Sequence, residues 1–176
     1  MKRILTLMLI LFIFLFTGCG IQKNQNSSNN SLKDKNVSKV NQKYSFGPLA
    51  NLAKINDEKK EELQNVLNNL GDISKDQVSF NPINARFNQD GSLIVDLFIR
   101  NGHEESIFNI DVRLNLIENG RVVASAPFSF TKEEFGVLES NNSRPWSILY
   151  YPEDLKEKNI KIDSISIEGE NIQYEY

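Results

Sequence analysis

The residue with the most distinctive chemistry in this chain is Cys19, the only cysteine among 176 residues. A cysteine thiol is a strong nucleophile once it ionises. Before it stand two basic residues near the N-terminus, an apolar run over residues 4–16 and the small residue Gly18. A basic start, a short apolar stretch and small residues before a cleavage point form a secretory signal peptide. Because the run is shorter than the roughly 20 apolar residues of a membrane span, we predict a signal peptide over residues 1–18.

The position of Cys19 directly after this signal resembles the pattern of bacterial lipoproteins. The resemblance implies cleavage between Gly18 and Cys19, a diacylglyceryl group on the Cys19 thiol and an acylated N-terminus, with fatty acids such as palmitate. It implies a mature chain that is anchored by lipid to the extracytoplasmic face of the cell membrane. The alternative is an ordinary secretory signal with an incidental cysteine, which leaves an unpaired thiol in a secreted protein.

Catalytic or metal-binding residues are not indicated by the remaining side chains. His103 is the only histidine, and it lies beside Glu104 and Glu105 in a predicted loop. A general base needs a positioned partner, and a metal site needs several converging ligands. The second acidic pair, Glu133 and Glu134, is typical of solvated turn charges. We therefore predict no catalytic residue, no metal site, no cofactor and no enzymatic activity.

Two readings are open for Arg144-Pro145-Trp146. Pro145 lacks a backbone donor and belongs at the start or edge of a strand. Trp146 shares a face with Ile148 and Tyr150, so that it is a candidate core residue, with Arg144 closing the end of the sandwich or pairing with an acid. In the alternative reading Arg144 binds a carboxylate and Trp146 stacks on a ligand.

The segment Arg100-Asn101-Gly102 offers a similar choice. Asn-Gly dipeptides supply the positive φ angles of tight turns, so that a turn is the first interpretation. The second interpretation is a contact site formed by Arg100 and Asn101.

One helix is predicted over residues 56–70. Asn56 is a suitable N-cap and two acids follow it in the first turn, where they favour the helix dipole. Residues 63, 66, 67 and 70 are apolar and form one stripe, and Gly71 ends the helix. The stripe packs on its own domain or binds a partner.

From Val78 onward the apolar period changes from 3.6 to 2, which predicts six or seven strands. Inward faces are expected over residues 93–99, 108–116, 122–128 and 146–150, and a last strand over residues 160–167. Three dipeptides, at 90–91, 101–102 and 119–120, are candidate hairpin turns. The pattern predicts a mainly β fold, an antiparallel β-sandwich preceded by one short α-helix.

Residues 20–43 are rich in Asn, Ser, Lys and Gln and cannot bury enough apolar surface to offset the entropy of ordering. We predict a disordered N-terminal linker over residues 19–45 and one folded domain over residues 46–176. Residues 44–55 are ambiguous and are candidates for docking on that domain. After removal of the signal, 18 basic and 23 acidic side chains remain, a net charge of −5 that argues against a nucleic-acid partner.

Four pieces of the chain together resemble a known family: 96–102 (DLFIRNG), 118–124 (ENGRVVA), 128–130 (FSF) and 142–146 (NSRPW). Their order and spacing resemble the SLAP domain, a module of Gram-positive bacteria named for S-layer assembly proteins associated with an accessory Sec export system. The resemblance spans residues 57–169. It implies an immunoglobulin-like sandwich, a location in the cell envelope and no catalytic activity. Members involved in S-layer assembly commonly carry the module in tandem, whereas one copy is recognisable here.

These observations predict a lipid-anchored binding or scaffolding module that holds an envelope or exported protein at the cell surface. Alternatives are an accessory factor for the export or assembly of surface proteins, acting by strand addition at a sheet edge, and capture of a wall ligand by Arg144 and Trp146.

Overall fold

Two β-sheets and one α-helix form the part of the chain that the structure describes, a computed structural model in which residues 42–157 and 159–176 are described. The predicted signal peptide, Cys19 and the linker up to residue 41 lie outside these residues. In chain order the elements are β1 (Lys43–Tyr44), α1 (Asp57–Asn69), β2 (Val78–Phe87), β3 (Leu93–Asn101), β4 (Phe108–Glu118), β5 (Arg121–Phe130), β6 (Asn142–Tyr150) and β7 (Ile165–Glu175). The prediction of a mainly β fold with one helix is confirmed.

The first sheet has the strand order β1-β6-β3-β2 and the second the order β5-β4-β7. The spacing of the hairpin turns in the sequence predicts that all strand pairs are antiparallel. Every pair of described strands is antiparallel except β1 with β6, which is parallel. The exception arises because β1 is far from β6 in the chain, so that no hairpin dictates its direction. Strand β1 also falls within the predicted linker, and its pairing brings the last residues of that segment into the first sheet.

The two sheets share one hydrophobic core, built by the alternating residues of their facing strands. Most of the predicted inward residues of β3 and β4 are buried in it: Leu93, Val95, Leu97, Ile99, Ile110, Val112, Leu114 and Leu116. The exception is Phe108, at the start of β4, which is only partly buried and has the Lys132 ammonium 4.1 Å from its ring centroid. Burial of one face of each sheet explains the two-residue period that the sequence shows.

Two of the three predicted turns join neighbouring strands. Asn119 and Gly120, with φ of 50° and 75°, connect β4 to β5, and Gly91, with φ of 84°, lies between β2 and β3. Positive φ at these positions gives hairpins the twist that matches their strands.

The third predicted hairpin, at Asn101-Gly102, is wrong. Strand β3 ends there, and the chain crosses to β4 in the other sheet. The backbone N–H of Gly102 donates to the carbonyl of Gln77 at 2.8 Å. A Cβ atom at Gly102 would stand 1.8 Å from the carbonyl oxygen of Ser74. Glycine is needed here because two backbone segments touch, rather than for a turn.

The last strand is displaced from its predicted place. It was expected over residues 160–167, whereas Ile162–Ser164 form a 3-10 turn and β7 runs from Ile165 to Glu175. Gly169 lies inside β7, where a Cβ would be 3.0 Å from the ring of Phe80. A glycine is therefore favoured at position 169 because the Phe80 ring packs closely on the backbone there, and the strand continues through it.

Helix α1 lies on the outer face of the first sheet. The Oδ1 of Asn56 accepts a hydrogen bond from the backbone N–H of Lys59 at 2.9 Å, which confirms the predicted N-cap. Leu63 and Leu67 are buried, and they form a second apolar cluster with Phe98 of β3. The apolar stripe of the helix thus packs on its own domain.

Candidate functional site

Arg144, the first candidate binding residue, is enclosed by the domain. Its side chain is 4% exposed. Nε donates to the carbonyl of Ser45 at 3.3 Å, and Nη2 donates to the Ser45 Oγ and the Val137 carbonyl, both at 3.0 Å. Nη1 donates to the carbonyl of Phe135. Burial lowers the pKa of the guanidinium, against the opposing effect of the Glu139 charge. The side chain thus fastens the end of β1 and the loop before β6 to the first sheet.

Arg100 is a second buried arginine that holds separate segments of the chain together. It is 3% exposed, and its Nη2 donates to the carbonyl of Gly71 at 2.7 Å and to the side-chain oxygen of Gln42. Burial lowers its pKa, and the charge of Asp72 acts in the opposite direction. Arg100 therefore holds the C-terminal end of α1 and the residue before β1 on β3.

Asn101 is fully buried and connects two loops. Its Nδ2 donates to the carbonyls of Glu105 at 2.8 Å, Leu138 at 3.1 Å and Glu139 at 3.2 Å. Its Oδ1 accepts from the backbone N–H of His103 at 2.9 Å. The side-chain amide of Asn101 therefore forms hydrogen bonds to backbone groups through both its nitrogen and its oxygen. The segment at 100–102 thus stabilises the fold.

The acidic and histidine side chains do not gather into a ligand set in the described part of the chain. Within residues 42–157 and 159–176, no group of three or more His, Cys, Asp or Glu side chains could hold a metal ion. The ring of His103 lies 5.0 Å from that of Tyr174. Glu104 has a weak ion pair with Lys75, at 3.8 Å.

Trp146 is the one candidate binding residue that keeps part of its surface exposed. Its ring meets those of Phe135 and Phe130 edge to face, with centroids 5.2 Å and 6.4 Å away. Trp146 packs against the edge of the hydrophobic core, on the side predicted from the sequence, but it is only partly buried. Trp146 and its neighbour Ser147 border two depressions, one on each face of β6.

The first depression, which we call the helix groove, lies between α1, residues 46–55 and the outer face of β6, with a volume of about 660 Å³. Its wall is largely apolar: Phe46, Leu49, Ala50, Ile55, Leu63, Val66, Ile83, Pro145 and Trp146. Leu49, one of its lining residues, is 66% exposed, and Leu52, three positions further along the chain, is 57% exposed. Its charged residues are already paired, Lys59 with Glu62 at 2.9 Å and Asp96 with Arg86 at 2.6 Å.

The second depression, which we call the edge cleft, opens between β5 and β6 and has a volume of about 450 Å³. Its apolar residues include Phe128, Ile148 and Tyr151, and Glu134 and Asp154 add negative charge. Asp154 accepts from the backbone N–H of Tyr151 at 2.9 Å, which fixes its carboxylate at the rim.

Between the two depressions runs an edge of the first sheet. β6 pairs with β3 over its length, but β1 covers its other side at Asn142 and Ser143 alone, among the described residues. The N–H of Ser45 donates to the carbonyl of Ser143 at 2.9 Å, so that the backbone groups of Ser143 face β1. By the alternation of a strand, those of Ser147 and Leu149 face the same, uncovered side.

The helix groove is the feature that sequence reasoning missed. Residues 44–55 were ambiguous because their apolar side chains recur at a loose three-residue spacing that Gly47-Pro48 interrupts. The signal was the pair of leucines, Leu49 and Leu52, after Gly47-Pro48. A Cβ at Gly47 would lie 2.8 Å from the Phe135 carbonyl oxygen and 3.3 Å from the Trp146 ring. This close passage places the loop beside Trp146 and forms one wall of the groove.

Comparison with known proteins adds a family. A family model described as the SLAP domain matches residues 48–171, which include most of the helix groove and the whole edge cleft. No curated protein and no solved structure matches the chain. No helix among the described residues is long and apolar enough to cross a membrane.

Proposed function

This chain belongs to the SLAP domain family, and we propose that it is a lipid-anchored, non-catalytic binding module that holds a protein partner at the cell surface. The family is one of surface-associated modules without catalytic activity, which supports the location and the class of function. The partner we propose is an envelope protein or an exported protein. The anchor we propose is a diacylglyceryl group on Cys19.

The observation that carries the proposal is the helix groove with its exposed leucine. Leu49 lines this largely apolar depression and is 66% exposed. Contiguous exposed apolar surface of this kind marks interaction sites in soluble domains. Trp146, in the wall of the groove, is one of the residue types enriched among energetic hot spots of interfaces. The paired charges around it leave no free acid–base couple in the groove, which supports binding rather than chemistry.

The lipid anchor follows from the order of residues around Cys19. One acyl chain binds a membrane only reversibly, whereas two or more anchor stably, at about 0.8 kcal/mol per buried CH₂ group. A diacylglyceryl cysteine with an acylated amine supplies enough chain for stable anchoring. Binding in the groove would then retain the partner at the membrane face.

A second candidate function is assistance in export or assembly of surface proteins. The uncovered edge of β6 supports it, because an emerging extended polypeptide pairs readily with such an edge. Capture of a wall ligand by Arg144 and Trp146 has weaker support, since the guanidinium donors of Arg144 already bond Ser45, Phe135 and Val137.

Photo-cross-linking in intact cells tests the proposal. A photoreactive amino acid replaces Leu49 at the groove rim or, as a control, Phe87, which is 42% exposed at the end of β2. We expect position 49 to cross-link a discrete envelope polypeptide that position 87 does not reach. The Cys19→Ala background should lower this product because the module loses its place at the membrane. Identical products from both positions, or no product from position 49, would count against the proposed function.

A further inference from the structure

We propose that the partner is bound as an added β-strand on the uncovered edge of β6, with alternate side chains in the helix groove and in the edge cleft. This inference rests on the proposed function and names how the same surface holds its partner. The occupant is an extended segment of a partner polypeptide.

The first argument is the backbone of β6. The groups of Ser147 and Leu149 face the side that β1 leaves uncovered, as the bond from Ser45 to Ser143 establishes. Pro145 has the same orientation, and its missing N–H lies where no described strand needs a donor. An extended segment here would find two N–H donors and three carbonyl acceptors in strand spacing.

The second argument is the place of the two depressions. Trp146 and Ser147 belong to the wall of both, so that the uncovered edge is the ridge between them. Successive side chains of a strand point to opposite faces of its sheet. A strand added to this ridge would therefore direct every second side chain into the helix groove and the others into the edge cleft. Depressions of about 660 and 450 Å³ leave room for apolar side chains on both faces.

The third argument is that β1 already uses this edge. Lys43 and Tyr44 pair with Asn142 and Ser143, and β1 ends there, so that no other described strand covers this edge of β6. The proposed strand continues the row that β1 begins. Such an addition takes its affinity from backbone bonds and its selectivity from the pockets on either face.

The charges of the edge cleft favour a partner segment over a second copy of this chain. Glu134 and Asp154 lie on the inner side of the ridge. A two-fold pair of β6 strands would bring both acidic clefts to one side of the joined sheet, where they repel. A segment with apolar residues and flanking lysines or arginines is complementary to this surface.

A defined peptide tests the inference on the full chain in phospholipid nanodiscs. The probe alternates valine and threonine over eight residues, with two lysines at each end. Trp146 is the single tryptophan of the chain, so that its fluorescence reports on the ridge. Hydrogen exchange of residues 145–150, measured by mass spectrometry, reports on the backbone. We expect a saturable change in fluorescence together with slower exchange of the Ser147 and Leu149 amides.

Two variants of one residue separate strand pairing from other contacts. Ser147→Ala removes the hydroxyl that donates to Asp96 at 2.6 Å but keeps the backbone N–H. Ser147→Pro removes the hydroxyl and the outward N–H. We expect the proline variant to bind the probe roughly tenfold more weakly than the alanine variant, as one lost hydrogen bond predicts.

Equal binding by the two variants, or a fluorescence change without amide protection, would overturn strand addition. Protected Ser147 and Leu149 amides in the peptide-free protein would overturn it too, because a second copy or another part of the chain would then cover the edge. The proposed function has a separate outcome. A polypeptide cross-linked from position 49 with equal yield in Ser147→Pro and Ser147→Ala would support the binding module while contradicting the added strand.

Discussion

The guanidinium of Arg144 lies over the ring of Phe135, 4.9 Å from its centroid, and donates a hydrogen bond to the carbonyl of that same residue. Phe135 in turn meets Trp146 edge to face at 5.2 Å. The arginine thus supports, from inside the domain, the aromatic residue that borders both depressions. Arg144 positions the candidate site and contacts no open surface.

We expect Arg144→Lys to destabilise the domain by about 2–4 kcal/mol. Lysine keeps the charge, but it cannot form the planar set of bonds to Ser45, Phe135 and Val137, so that buried carbonyls lose partners. Denaturant unfolding monitored by Trp146 fluorescence measures the loss. The matched control is Arg113→Lys, at an exposed arginine whose Nη1 is 3.5 Å from the Ser125 Oγ, where we expect a change within about 0.5 kcal/mol. Equal stability of the two variants would contradict the role assigned to Arg144.

We expect Gly102→Ala to cost about 3 kcal/mol or more. The added Cβ would lie 1.8 Å from the Ser74 carbonyl oxygen, which belongs to backbone and cannot rotate away. Gly120→Ala is the control, because nothing lies within 4 Å of its added Cβ and the cost comes from its φ of 75° alone, about 1–2 kcal/mol. Thermal or denaturant unfolding gives both values. A smaller loss at Gly102 than at Gly120 would show that the two backbone segments do not touch.

The hydroxyl of Tyr150 makes the domain sensitive to alkali. It is buried and donates to the Leu114 carbonyl at 3.2 Å, and burial, aided by the charge of Asp154, raises its pKa well above the ordinary value. The unfolded chain ionises this phenol near pH 10 while the folded chain does not. Its contribution to the free energy of unfolding is therefore complete below about pH 10 and falls as the pH rises further.

We expect Tyr150→Phe to lose about 1 kcal/mol at neutral pH, for the missing hydrogen bond, and to show a flatter decline of stability above about pH 10. Denaturant unfolding at a series of pH values measures this slope. Tyr151→Phe, at the neighbouring tyrosine that is 56% exposed, should keep the wild-type profile. The idea fails if the decline above pH 10 is as steep in Tyr150→Phe as in wild type.

We expect Cys19→Ala to alter location without altering the fold. Alanine cannot receive the diacylglyceryl group, so that the variant should be released or remain as an uncut precursor. Fractionation of cells, with the mass of each form determined, distinguishes these products, and the unfolding curve of the domain should match wild type. Processed Cys19→Ala protein that stays in the membrane fraction would contradict a lipid anchor.

The local sequence was sufficient to predict the helix and the strands whose apolar residues recur with a regular period. Helix α1 begins after Asn56 as predicted, since an N-cap and an apolar stripe are local signals. Strand β3 and the part of β4 from Ile110 to Leu116 have the predicted inward faces, because alternate residues of each strand point into the shared core. The prediction failed at Gly102, where glycine serves the close approach of distant segments and a turn dipeptide has the same appearance in sequence.

The sequence by itself determined the mainly β class, the helix, the family resemblance and the prediction of a lipid-anchored address at Cys19, because each is a pattern of neighbouring residues. Only the tertiary structure decided what the candidate binding residues do. Arg144 bonds Ser45, which is 99 positions away in the chain, and among the described residues β1 covers the outer edge of β6 at two positions alone. Such contacts depend on how distant segments meet in space, and no local period encodes them. For the same physical reason the helix groove and the edge cleft, formed where separate segments pack, became visible only in the folded chain.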